Sequence, residues 1–394
     1  MRNTNIKPFR LAQNAEPLEL DGGFKLGYSP ALDGLRGIAI LAVLAYNGHL
    51  SYGRGGFVGV NIFFVLSGFL ITTLLVQEFR HSAKIELKNF YYRRALRLLP
   101  ALFALMVVCM GYAAVLQPQD KAELTFKGVL YTFFYVANWA QVGDVASGIG
   151  ALSHCWSLSV EEQFYLVWPL LLILLLKSRL KRSGISVVLV VMIAASFAWS
   201  AVLSLKGVNY LRIYFGSDTR AGELLIGCLL ALIMHWGLVP KTKFVRYALR
   251  LTSILMFAAI GYAIVAARYY SAFFYRGGFL VIAAGTAAVI ADTMLFPSLV
   301  SKALSFRPLV WIGKVSYGLY LWHYPIFEGS RLALENRLNP VAYQGLRFGA
   351  AFIVAAASFY WLEKPFLKLK QRYSDTKVSH LSPSSTELAP VNEL

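Results

Sequence analysis

The sequence predicts an all-α polytopic membrane protein of about ten transmembrane helices with one re-entrant or interfacial segment, and three observations carry that prediction. Hydrophobic residues make up 57% of the 394 and charged residues only 15%, against about a quarter charged in soluble domains. Apolar runs recur along most of the chain, among them 98–116, 166–176 and 185–205. Lysine and arginine gather in alternate segments between those runs, the pattern that marks the cytoplasmic side of a bilayer.

In chain order, spans are expected at 32–50, 57–78, 98–117, 156–176, 185–205, 221–236, 251–267, 277–293, 309–327 and 342–362. Most approach the ~20 residues that a helix needs to cross the hydrocarbon. The stretch 126–141 is apolar but short, and is read as re-entrant or interfacial. Charge supports that choice. With both termini cytoplasmic, the inside segments hold 25 lysines and arginines and the outside segments hold 10. If 126–141 crossed, the cluster Lys177, Arg179, Lys181 and Arg182 would face outward and the bias would weaken.

The net charge of +18 would suggest nucleic-acid binding in a soluble chain. Here the basic residues flank membrane spans, so no nucleic-acid partner is expected. Cys109, Cys155 and Cys228 stand singly, without the pairing or histidine spacing of a disulfide framework or zinc site. Residues 1–27 lack the apolar core of a cleaved leader. The expected organisation is a cytoplasmic N-terminal segment (1–30), one membrane domain (31–368) and a disordered cytoplasmic tail (369–394) rich in serine and lysine.

Charges inside spans map the candidate chemistry, because each costs at least ~2.5 kcal/mol on insertion scales unless a partner or polar cavity receives it. Arg36 sits one helical turn from Asp33. It either pairs with Asp33 at the helix end or faces a cavity that accepts an anionic or developing negative group. Arg93, Arg94 and Arg97 open the third span, with Arg94 and Arg97 on one helical face. They suit a positive-inside anchor, or a clamp for phosphates such as those of coenzyme A.

The densest constellation runs from Ser153 and His154 through Cys155, Trp156 and Ser157 to Glu161, Glu162 and Tyr165. The adjacent carboxylates either pair structurally with Arg212, Arg220 or Arg36, or take part in chemistry. No GxSxG elbow accompanies them, so a hydrolase triad fits poorly, and nothing marks Cys155 as an activated thiol. Near the end, Lys314, Tyr320 and His323 share one span, where His323 is either an interfacial histidine or a contact for an acceptor hydroxyl. Glu363-Lys364-Pro365 reads as a helix end.

Together these motifs resemble the acyltransferase family 3 membrane proteins, the group that includes bacterial O-antigen and nodulation-factor acetylases. The likeness covers about residues 30 to 368. It rests on the ordered set Leu32-Asp33-Gly34-Leu35-Arg36, Gly56 to Val60 with Phe63 to Phe69, Arg94 with Arg97, Trp156 to Tyr165, Gly222-Glu223-Leu224, Ser316 to His323, and Glu363-Lys364-Pro365. It implies transfer of an acyl group, commonly acetyl from cytoplasmic acetyl-coenzyme A, to a carbohydrate hydroxyl across the bacterial cytoplasmic membrane, without a metal. Phosphates would bind at Arg93, Arg94 and Arg97, and Arg36 would steady a developing oxyanion. Glu161 and His323 would join the catalytic set, with His154, Trp156, Glu162 and Tyr320 contacting the acceptor. No appended extracytoplasmic domain is expected within these residues.

One position departs from the pattern. The family's histidine lies eleven positions after its first-span arginine, and here that position is Asn47, whose amide cannot act as a general base. Three readings follow. His49 has taken the role, although two positions rotate a helical side chain by about 200°; His323 or His154 serves instead; or the chain is an inactive variant. A transporter using buried charges as a proton relay or a lipid-linked sugar path is the competing class, and acylation of a cytoplasmic small molecule is a third reading.

Overall fold

The computed structural model describes residues 24–143, 149–240, 242–334 and 337–368, and every regular element among them is helical. The expected N-terminal segment, apart from 24–30, and the expected tail 369–394 lie outside the described residues. The helices are α1 (Pro30–Asn47), α2 (Val58–Ser82), α3 (Leu87–Leu116), α4 (Gln119–Phe133), α5 (Ala137–Gly143), α6 (Trp156–Lys177), α7 (Arg182–Leu205), α8 (Tyr210–Phe215), α9 (Ser217–His235), α10 (Lys243–Ala266), α11 (Phe279–Leu295), α12 (Leu299–Leu304), α13 (Arg307–Lys314), α14 (Ser316–Leu334) and α15 (Pro340–Ala357). A 3₁₀ turn, Gly150–Cys155, leads into α6, and a π-helical segment, Ser358–Glu363, continues α15.

Among the described residues seven helical stretches are long and apolar enough to cross a bilayer: those containing α2, α3, α6, α7, α10, α11 and α15. Three further expected spans coincide with α1, α9 and α14, which carry charges within their length: Asp33 and Arg36; Asp218, Arg220 and Glu223; and Glu328 and Arg331. Those charges make the three helices less apolar than the seven. Residues 126–141 make no continuous helix. α4 ends at Phe133, the chain turns at Tyr135 with φ of 53°, and α5 has 7 residues.

The expected span 309–327 is corrected by a break at Val315. α13 packs on α1, and α14 begins at Ser316. Lys314, expected inside that span, is exposed at the end of α13 with its ammonium 5.2 Å from the Tyr28 ring.

α2 is the central strut, and it crosses α9 at small residues. A Cβ on Gly68 would stand 1.9 Å from the Leu224 carbonyl oxygen, and one on Gly227 2.1 Å from that of Val65. Such close backbone approach is how membrane helices gain packing without a hydrophobic drive between them. Near this crossing a charge pair is sealed from lipid. Arg220 meets Glu223 at 2.8 Å, the two side chains are 1% and 0% exposed, and Asn61 of α2 donates to Glu223 at 2.9 Å. Rings of Phe64, Tyr214 and Phe279 surround the guanidinium. Neutralisation inside a ring box is what lets α9 carry these charges through the bundle.

Candidate active site

Two cavities adjoin within the bundle. The first, about 140 Å³, is lined by Arg36 of α1, by α2 from Val60 to Leu74, by Arg94 and Arg97 of α3, by Ser157 and Glu161 of α6, and by Tyr317 and Tyr320 of α14. The second, about 180 Å³, is lined by Asn47, His154 and Gln141 amid an aromatic wall that includes Tyr46, Trp156, Tyr214 and Tyr269. Val60 and Tyr320 line both. Helical geometry explains why α1 serves both cavities. Arg36, Val43 and Asn47 recur at seven and four residues on one face, and eleven residues make three turns, about 16 Å.

The arginines of the first cavity differ in their engagements. Arg94 is clamped by Glu162, its Nε 2.9 Å and its Nη2 2.6 Å from Oε1, and it lies over the Tyr165 ring at 3.3 Å. The structural partner of Glu162 is thus Arg94. It is none of Arg212, Arg220 and Arg36, since Arg212 pairs with Asp218 and Arg220 with Glu223. Arg93 points away to Glu78 at 2.9 Å. Arg36 and Arg97 line the cavity with neither side chain in an ion pair among the described residues, and Asp33 does not pair with Arg36. Beside them the Tyr165 hydroxyl reaches Glu161 Oε2 at 3.4 Å.

At the junction, one hydrogen-bond chain fixes Tyr320. Its hydroxyl meets both the His154 carbonyl and Ser157 Oγ. A carbonyl can only accept, so the single Tyr320 proton goes to His154, and Ser157 donates to Tyr320.

A proline sets the state of His154. Pro325, within α14, has no N–H to give the Leu321 carbonyl one turn earlier. His154 Nε2 lies 3.0 Å from that oxygen and donates to it, which leaves Nδ1 as the lone-pair nitrogen. Nδ1 has no partner. Pro169 acts alike in α6, where the freed Tyr165 carbonyl lies near the Tyr91 hydroxyl, which also donates to Leu166 at 3.0 Å.

His323 is fully buried in the opposite tautomer. Its Nδ1 faces the carbonyls of Leu319 and Tyr320 at 3.0 and 2.8 Å and must donate, so Nε2 accepts the Asn47 amide at 3.1 Å. His49 lies beyond the end of α1, exposed, with φ of 53°, and lines neither cavity.

The structure thus gathers Arg36, Arg94, Arg97, Glu161 and Tyr320 around the first cavity, and Asn47, His154, Trp156 and Tyr320 around the second. His323 stands behind Asn47, Glu162 behind Arg94, and Arg93 and His49 fall outside. Two residues without an expected role support this arrangement. Arg347 of α15, 4% exposed, donates to the Gly48 carbonyl just past Asn47, and a charge in a span was its signal. Glu363, in the π-helical segment and buried, lies within electrostatic reach of Arg97 and Arg36. The tyrosines of the second cavity left no such signal, because tyrosine near a membrane surface is ordinary.

Residues 29–361 match the family model described as "Acyltransferase domain". Over 352 residues the chain is 38% identical to the peptidoglycan O-acetyltransferase OatA of Listeria monocytogenes, covering 86% of this chain and 56% of that protein. It is 34% identical over 348 residues to the O-acetyltransferase OatA of Staphylococcus aureus, covering 86% and 57%. The chain therefore spans little more than half the length of these curated relatives. No solved structure matches it. With a match across almost the whole helical bundle, and with both cavities inside it, the chain belongs to the acyltransferase domain family.

Proposed function

We propose that this protein is a membrane-bound O-acyltransferase that moves an acetyl group from acetyl-coenzyme A to a hydroxyl of a saccharide, in the chemical class of the peptidoglycan glycan named for its relatives. The observation that carries this reading is the pair of dissimilar cavities meeting at Val60 and Tyr320. Acyl transfer between a soluble donor on one face and an acceptor on the other needs two approaches converging on one point, so that donor carbonyl and acceptor oxygen come within ~3–3.5 Å.

The arginine cavity suits the donor. Its guanidinium groups offer bidentate donors to phosphate oxygens, and the excess of basic residues supports a cytoplasmic position for this end. Arg97, exposed and in no ion pair among the described residues, is the phosphate contact. Arg94, locked to Glu162, shapes the wall. Arg36, deeper along α1, is placed to meet the thioester oxygen as charge develops on it. The second cavity suits the acceptor, because sugar rings present C–H faces that pack on aromatic rings while Gln141, Asn47 and His154 offer polar contacts to hydroxyls.

The test uses the purified protein in lipid nanodiscs with radiolabelled acetyl-coenzyme A and a soluble N-acetylglucosamine oligomer. Label should appear on the sugar with stoichiometric release of thiol. Movement of sugar across a liposome membrane without thioester cleavage would instead establish a transporter.

A further inference from the structure

We propose that His154 is the general base of this transfer, its Nδ1 taking the proton of the acceptor hydroxyl at the junction of the two cavities. The proposal rests on the acyltransferase reading above and identifies the proton acceptor within it.

The position normally expected to supply the base is an amide here, and Asn47 spends that amide on His323. His323 in turn offers no vacant lone pair, because Nδ1 donates to backbone carbonyls and Nε2 receives Asn47. His49 lies outside both cavities. His154 differs on each count. It lines the acceptor cavity and is 5% exposed. Its Nε2–H is committed to Leu321, and its Nδ1 lone pair is unpartnered.

A buried polar nitrogen without a partner costs free energy, and an acceptor hydroxyl seated in the cavity that His154 lines would supply that partner. The ring is also held as a base requires. It stacks on Tyr324 at 5.2 Å with an interplanar angle of 24°, and lies 5.5 Å from the Tyr320 ring at the cavity junction. The carbonyl of Leu321, freed by Pro325, therefore does for His154 what a carboxylate does for the histidine of a hydrolase triad: it fixes the tautomer and leaves the reacting nitrogen bare.

The step balances without a further reactant. The acceptor oxygen forms a bond to the thioester carbonyl carbon while its proton passes to Nδ1. The tetrahedral intermediate then collapses with cleavage of the carbon–sulfur bond. The proton on Nδ1 finally goes to the departing thiolate, giving ester, coenzyme A thiol and neutral His154.

Glutamine at position 154 can still donate to Leu321, so His154→Gln should fold and bind coenzyme A as before, yet transfer acetyl about 10²- to 10⁴-fold more slowly. His154→Gly should show a comparable loss that added imidazole partly restores, a rescue specific to a missing base. His154→Gln transferring within tenfold of wild type overturns the proposal, as does a His154→Gly variant that binds coenzyme A and ignores imidazole. Wild-type protein that binds coenzyme A but transfers nothing overturns the acyltransferase reading, and the base falls with it.

Discussion

The side-chain amide of Asn47 donates to Nε2 of His323 across 3.1 Å, joining residues 276 positions apart and tying the end of α1 to the middle of α14. Removing that donor leaves a buried imidazole nitrogen unsatisfied, at a cost of about 1–3 kcal/mol. Asn47→Leu should therefore lower the unfolding temperature measurably. Asn47→His keeps an N–H donor in reach and should fold normally. With the base at His154, it should alter acetyl transfer less than tenfold. A gain of a hundredfold would place the base at position 47.

Arg94 and Arg97 share a helical face but should respond differently to substitution. Arg94→Gln breaks a bidentate pair and strands Glu162 at 15% exposure, so its main effect should be on stability, about 1–3 kcal/mol. Adding Glu162→Gln should recover part of that loss. Arg97→Gln breaks no ion pair and should weaken coenzyme A binding about tenfold to a hundredfold, the worth of one charge-assisted phosphate contact. Thermal unfolding and calorimetry on the same four proteins would separate the effects. Unchanged coenzyme A affinity in Arg97→Gln would remove Arg97 from the donor site.

The α2–α9 crossing should tolerate no side chain at its contact glycines. Gly68→Ala or Gly227→Ala drives a methyl group into a partner backbone oxygen at 1.9 or 2.1 Å, so the helices must separate and the sealed Arg220–Glu223 pair must loosen. Each substitution should reduce thermal stability, whereas Gly261→Ala, with nothing within 4 Å of the added carbon, should not. Equal unfolding temperatures for all three proteins would refute the tight crossing.

The break between α4 and α5 is expected to make that unit enter and leave on one face of the membrane. Cysteines introduced at Asp120 and Gly143, both exposed, should be labelled by an impermeant maleimide from the same side. Labelling from opposite sides would show that the unit crosses.

The all-helical membrane architecture and the places of the long apolar helices followed from the sequence alone. A bilayer imposes long apolar helices and sorts basic residues locally along the chain, so a linear reading captures them. The same holds for Arg36 and Asn47 sharing a face, since three turns of one helix are a local fact. The break at Val315 was not legible, because α13 is held against α1 by contacts from distant residues: a Cβ on Gly313 would meet the Asp33 carbonyl oxygen at 1.8 Å.

Partner choice was decided only in three dimensions. From sequence, Glu162 could meet any of several arginines, and three histidines competed for one role. Folding assigned Arg94 to Glu162, Glu223 to Arg220 and Asn47 to His323, each across a helix packing or a helical turn that composition does not encode. The tautomer of His154 is the clearest case. Pro325 is visible in the sequence as a residue without an N–H, but that the orphaned Leu321 carbonyl would be met by a histidine 167 positions earlier depends on α14 docking against the 3₁₀ turn before α6. Hydrogen bonds are short and directional, so the chemistry of a site is fixed only when tertiary packing has brought its partners within about 3 Å.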